Sequence, residues 1–134
     1  MLRRIVRARD LLHADVQRGA TLDELAAASG LSRSALARSF AETFGAPPHR
    51  YLLALRLERA KRALAHGTSV TQACVEVGFA SLGSFSTTFH RRVGLSPRDW
   101  QRQTRRFVQG LGIPALYIPA CFLAQYAGLY PEDV

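Results

Sequence analysis

Residues Thr21 to Tyr51 and Ser69 to Trp100 are two copies of one pattern, so the chain must fold twice into the same local unit. At an offset of 48 positions Thr21 matches Ser69, Glu24 matches Gln72, Ala26 matches Cys74, Gly30 matches Gly78 and Leu31 matches Phe79. One residue is then inserted. At an offset of 49, Leu36 matches Phe85, Phe40 matches Phe89, Gly45 matches Gly94, Pro48 matches Pro97 and Tyr51 matches Trp100. Each copy reads as two short helices around a glycine-containing turn, the pattern of a helix-turn-helix.

The signals along the chain predict an all-α fold. Ile5, Ala8, Leu12 and Val16 recur at helical spacing, which predicts a first helix over 4–18 that Gly19 ends. Thr21 with Glu24 is a capping box opening a second helix, with Leu22, Leu25 and Ala26 as its buried stripe. Gly30 supplies the turn and Ser32 caps a third helix reaching about Phe44, with Leu36 and Phe40 inward. The opposite face shows Ser34, Ala37, Arg38 and Ala41. Pro47 and Pro48 open a long helix over about 49–66, with Leu53, Leu57, Ala60 and Leu64 on one face, stopped by Gly67. At 1.5 Å per residue it is a rod of roughly 27 Å, close to the roughly 34 Å between successive major-groove faces once the flanking units are added. The second copy repeats the scheme. Ser69 with Gln72 is a capping box, the helix runs to Val77, Gly78 turns the chain, and Ser81 caps a helix to Val93. A last helix starts at Pro97 and runs to about Phe107. Residues 110–114 read as a linker. The expected organisation is therefore a helical domain over 4–107, with helix-turn-helix units at about 21–45 and 69–94, and a distinct apolar tail over 110–134.

Charge narrows the partner. The formal net charge is +8, and Lys61 is the one lysine among the 18 basic residues. All but two of the ten acids precede Gly110, so residues 1–109 carry 18 basic against 8 acidic groups. Such an excess suits a polyanion, and with two helix-turn-helix units it points to double-stranded DNA. Cys74 and Cys121 form neither a disulfide scaffold nor a zinc spacing, and Cys74 reads as a small core residue. His13, His49, His66 and His90 are scattered without paired ligand spacing, so no metal site is expected. No nucleophile triad, glycine-rich phosphate loop or CxxC occurs, so neither an enzyme nor a cofactor is expected. The apolar stretch from Ile113 to Leu129 is broken by Pro114 and Pro119 and is too short for a bilayer. No apolar signal run follows Arg3 and Arg4, and the expected address is the cytoplasm of a prokaryote.

The second copy and its lead-in carry a long, specific spacing: Arg56-Leu57, Ala60, Leu64, then Gly78-Phe79-x-Ser81-x-x-x-Phe85-x-x-x-Phe89 and Gly94-x-Ser96-Pro97. This closely resembles the DNA-binding domain of the AraC/XylS family of bacterial transcription regulators, over about residues 4–104. The resemblance implies a homeodomain-like, all-α architecture of two helix-turn-helix subdomains joined by a long central helix. Most members carry a ligand-binding domain ahead of this one. A chain of this length looks like the short, stand-alone members, which act as monomers on one asymmetric site. The resemblance further implies that the third and sixth helices read bases, through positions matching Arg33, Ser34, Ala37 and Arg38, and Leu82, Gly83, Ser84 and Thr87. An activating role and contact with RNA polymerase are the further expectations.

Among these residues Arg38 is the strongest candidate reader, since a guanidinium bonds O6 and N7 of a guanine together. The alternative is a phosphate contact or a solvated arginine. The sixth helix is thinner in chemistry. Its outward face holds Gly83, Ser86, Thr87 and His90, with no Arg, Asn or Gln for a bidentate pair. Either the glycine admits the DNA backbone closely, or this half only clamps phosphates. Phosphate contacts are expected from Arg50, Arg91, Arg92 and Arg98, and from the helix starts at Ser32 and Ser81. A different class of function also fits: a protein-interaction module on a helix-turn-helix scaffold with only non-specific DNA binding. The tail residues Leu116, Tyr117, Ile118, Phe122, Leu123, Tyr126 and Tyr130 are too apolar for a solvated coil, and packing onto the preceding helices or docking a partner are the two readings.

Overall fold

The fold comes from a computed structural model that describes residues 1–111, with side chains to Phe107. Among the described residues the order is α1 (Leu2–Ala14), α2 (Leu22–Ser29), α3 (Arg33–Phe44), α4 (Pro48–Ala65), α5 (Val70–Glu76), α6 (Leu82–Val93) and α7 (Pro97–Leu111), with no strand. The chain divides into two units, residues 1–56 and residues 57 onward, and the division falls within α4. The expectations for the tail lie outside the described residues.

In the first unit the capping signals act as read. The Thr21 hydroxyl accepts from the Glu24 amide and the Glu24 carboxylate accepts from the Thr21 amide, closing the box at both ends. Arg18 grips the same carboxylate at 3.0 and 3.1 Å, and that contact holds Glu24 below the usual carboxylate range. Ile5, Ala8 and Leu12 of α1 close over Leu25, Leu36 and Phe40, all essentially without solvent exposure. Burying each large side chain contributes about 1.5–3 kcal/mol, which is what orients two helices too short to persist alone. Of the expected α2 stripe, Leu25 is buried while Leu22 and Ala26 are half-buried against the same core.

The first helix is shorter than the spacing predicts. It ends at Ala14, where Asp15 leaves the helical conformation at φ −144° and ψ 83°, and the chain turns through residues 16–18. Val16 is still buried, so the apolar period continues past the helix. Its carbonyl accepts from Arg56 Nε at 3.0 Å and the Gln17 carbonyl accepts from the same guanidinium at 3.2 Å. Locally, the Asp15 carboxylate accepts from the Arg18 amide at 3.0 Å, a turn that competes with the helix.

In the second unit Leu57, Ala60 and Leu64 of α4, Ala73 and Cys74 of α5 with Val77 after it, Phe85, Phe89 and Val93 of α6, and Trp100 of α7 are all buried. The rings of Phe79, Phe85, Phe89 and Trp100 follow one another at 5.2, 5.7 and 6.3 Å between centroids. Ser69 caps α5 by accepting from the Gln72 amide, but Gln72 Nε2 donates to Glu76 Oε1, so the expected second capping box closes on one side. The last helix also outruns expectation, continuing to Leu111 through part of the predicted linker. One glycine costs a helix only about 1 kcal/mol, too little to stop one already anchored by Trp100 and Thr104.

Candidate nucleic-acid interface

Each unit presents one helix through the same local device. Gly30 and Gly78 turn the chain at φ 69° and 89°, a region that glycine enters without a Cβ clash. Ser32 Oγ then accepts from Ala35 N at 3.2 Å, and Ser81 Oγ from Ser84 N at 3.1 Å. The first main-chain bonds into these helices run from Leu36 to Ser32 and from Phe85 to Ser81. The amides of Arg33 and Ser34, and those of Leu82 and Gly83, precede these bonds and point out of the helix starts. Amides so placed suit phosphate oxygens. The inserted residue of the second copy is Ala80, an exposed position in the turn before Ser81. Cys74, facing that turn, donates its thiol to the Ser81 carbonyl at 3.5 Å, and burial pushes the thiol pKa up. The expectation that Cys74 is a core residue agrees with its burial.

On α3, Leu36 and Phe40 are buried while Ser32, Arg33, Ser34 and Arg38 are exposed. Ala37 and Ala41 are half-buried at the edge of that face. Ala37 also lines an apolar groove of about 540 Å³ with Leu25, Leu52, Leu53, His49 and Arg56, so it faces partly sideways. Arg33 reaches back to Asp23 on α2 at 3.3 Å, with both side chains largely exposed. An ion pair that open is worth roughly 0–1 kcal/mol and yields readily to a phosphate. Sequence reading missed this pair, although Asp23 in the first turn of α2 was a visible partner.

On α6, Phe85, Phe89 and Val93 are buried, while Ser81, Leu82, Gly83, Ser84, Thr87 and His90 are exposed and Ser86 is half-buried. Leu82 is a large apolar side chain 46% exposed at the helix start, able to meet a thymine methyl but not to donate. A Cβ added at Gly83 would have nothing within 4 Å. Arg91 is exposed and Arg92 half-buried in the last turn, and Arg98 is exposed at the start of α7. Arg50 is exposed in the first turn of α4. Among the described residues no group of three or more potential ligands could hold a metal ion, and no helix is long and apolar enough to cross a membrane.

Comparison with known proteins agrees with this geometry. A helix-turn-helix domain family matches residues 25–103. The transcriptional activator RhaS of Shigella boydii is 39% identical over 88 residues, covering 65% of this chain and 32% of that protein. A transcriptional regulator with an AraC-type DNA-binding domain, from Chromobacterium violaceum, superposes with a TM-score of 0.71 at 31% identity, covering 77% of this chain and 93% of that one. The DNA-binding domain of AdpA, solved in complex with a target DNA, shares the fold at a TM-score of 0.70 and 24% identity, with coverage of 76% and 93%. The chain spans about a third of the length of the curated relatives it matches.

Proposed function

We propose that this chain, which belongs to the AraC/XylS family of bacterial transcription regulators, binds one duplex DNA site sequence-specifically and thereby regulates transcription. The helices opened by Ser32 and Ser81 each enter a major groove, and residues 4–107 are the domain that does this. The observation that carries the reading is the two-sided character of α3. Its apolar side is fixed in the core by Leu36 and Phe40, and Ser34 and Arg38 stand exposed on the other side. Rigid anchoring behind and an exposed donor in front is what base readout requires.

Arg33, Ser34, Ala37 and Arg38 supply the base contacts of α3, and Leu82, Gly83, Ser84 and Thr87 those of α6. Arg50, Arg91, Arg92, Arg98 and the amides behind Ser32 and Ser81 hold phosphates. The protein acts as a monomer on DNA, in the cytoplasm, as an activator that touches RNA polymerase. The naming of RhaS as an activator supports the activating role.

Gel shifts at rising salt with selected and random duplexes test the proposal. A specific regulator keeps a preference for its site of at least about a thousandfold as salt rises. Equal, steeply salt-sensitive loss on both duplexes would instead identify a scaffold with non-specific binding alone, and the proposal would fail.

A further inference from the structure

The arginines of α7 extend the basic character of the second unit well past α6. Arg98, Arg102, Arg105 and Arg106 are all exposed, and with Gln101 they line a concavity of about 400 Å³. Their spacing, one and two turns apart, puts them on one side of the helix. The other side is immobilised. Trp100 and Thr104 are fully buried, and at the edge of the arginine face Gln101 Nε2 donates to the Leu64 and Thr68 carbonyls at 3.0 and 2.7 Å. The helix therefore cannot roll to disperse these charges. Among the described residues no carboxylate lies within ion-pair distance of any of the four. Like charges at such spacing disfavour a free helix, so the face suits an anion that the described residues do not supply.

We infer that this α7 face is a second phosphate-gripping surface, one that holds the DNA backbone beside the groove entered by α6. The inference rests on the DNA-binding reading above and adds Arg102, Arg105 and Arg106 to the phosphate contacts expected from Arg98. Two observations favour a duplex over an acidic protein. Basic residues stand on both helices, His90, Arg91 and Arg92 in the last turn of α6 and Arg98 in the first turn of α7, where Asp99 is the one acid. The two helices also pack as one body through Phe89 and Trp100. Arg98 to Arg106 spans about 12 Å of helix, the axial length of roughly three phosphates on one strand. Guanidinium forks bond phosphate oxygens in pairs, which a set of dispersed ammonium groups would not.

The test measures the affinity of the full chain for its selected duplex and for a scrambled duplex across a series of salt concentrations. The triple variant R102Q/R105Q/R106Q is expected to lower the slope of log affinity against log salt by about 2–3 on both duplexes alike, with site preference kept. R102K/R105K/R106K is expected to retain most of the slope, which separates loss of charge from loss of fold. R3Q/R4Q/R7Q removes the same charge from α1 and is expected to change the slope by less than about 1. An unchanged slope in the α7 glutamine variant overturns the inference, as does an equal drop in the α1 variant. So does selective loss of binding to an acidic peptide with DNA binding intact. Absence of any salt-sensitive duplex binding by the unsubstituted chain would instead overturn the DNA-binding reading itself.

Discussion

The indole Nε1 of Trp100 donates to the main-chain carbonyl of Lys61 at 3.2 Å, and the Lys61 ammonium lies 5.7 Å from the centre of the same ring. One lysine thus meets the indole with both its backbone and its charge. The matching position in the first unit is Tyr51, which meets Phe40 edge-on and places its hydroxyl 2.7 Å from His13 Nε2. Both copies put an aromatic ring against the helix that follows the glycine turn and give its polar tip a partner, but the partners come from different helices.

Trp100→Phe removes the donor while keeping a ring. The lost hydrogen bond costs about 1 kcal/mol, and the space left by the smaller ring adds to it. The melting midpoint should fall measurably with helicity retained at low temperature. An unchanged midpoint would mean that the indole N–H contributes nothing to this core.

Lys61 itself is 3% exposed, and burial pushes its pKa below the ordinary 10.5 while Glu58 opposes the shift. A folded-state value below the unfolded one means that the folded chain bears a cost while the lysine is charged. That cost disappears as pH climbs from the depressed value to the ordinary one. Compared with Lys61→Met, the native chain should therefore gain stability through that alkaline window. Parallel midpoint curves for the two proteins across it would show that the lysine titrates normally.

Arg38→Ala should weaken binding to the selected site by roughly 1–3 kcal/mol and relax the preference at one G·C pair. Arg38 is exposed in the middle of α3, with Leu36 and Phe40 buried behind it. Equal loss on every sequence would make it a phosphate contact.

The operator should be lopsided, sharply defined under α3 and degenerate under α6. Arg38 on α3 has as its counterpart Thr87, which is equally exposed but has no bidentate fork. Binding sites selected from a random pool measure this directly, and equal information in both halves would contradict it.

Gly83→Ala should raise the midpoint, since a Cβ there meets nothing and alanine favours the helix by up to about 1 kcal/mol. Unchanged duplex affinity would show that Gly83 makes no close contact with DNA. A stabilised variant with weakened binding would show instead that the DNA backbone sits against Gly83.

Much of the fold was legible because its signals are local. A capping serine, its acceptor bond three residues on and a glycine at positive φ all lie within one turn of chain, and the duplication displays each of them twice. The buried faces of α3 and α6 followed from period alone. Other local signs had a competing partner, as where Gln72 bonds Glu76 rather than closing the second capping box. At the end of α1 the Asp15 carboxylate turns the chain by accepting from the Arg18 amide, while Arg56 binds the Val16 and Gln17 carbonyls, a pairing that the sequence does not mark.

The amino-acid sequence by itself determined the all-helical class, the two helices that follow the glycine turns and which residues share each face, because helical period and end-capping are properties of neighbouring residues. The tertiary structure decided what covers those faces. It buried the chain's one lysine beside Trp100, turned Ala37 partly into a groove, tied Arg33 to Asp23, and left the α7 arginines exposed with Trp100 and Thr104 locked behind them. Period assigns a side chain to a side of its helix. Whether that side meets a core, a carboxylate or open solvent depends on packing between segments distant in the chain.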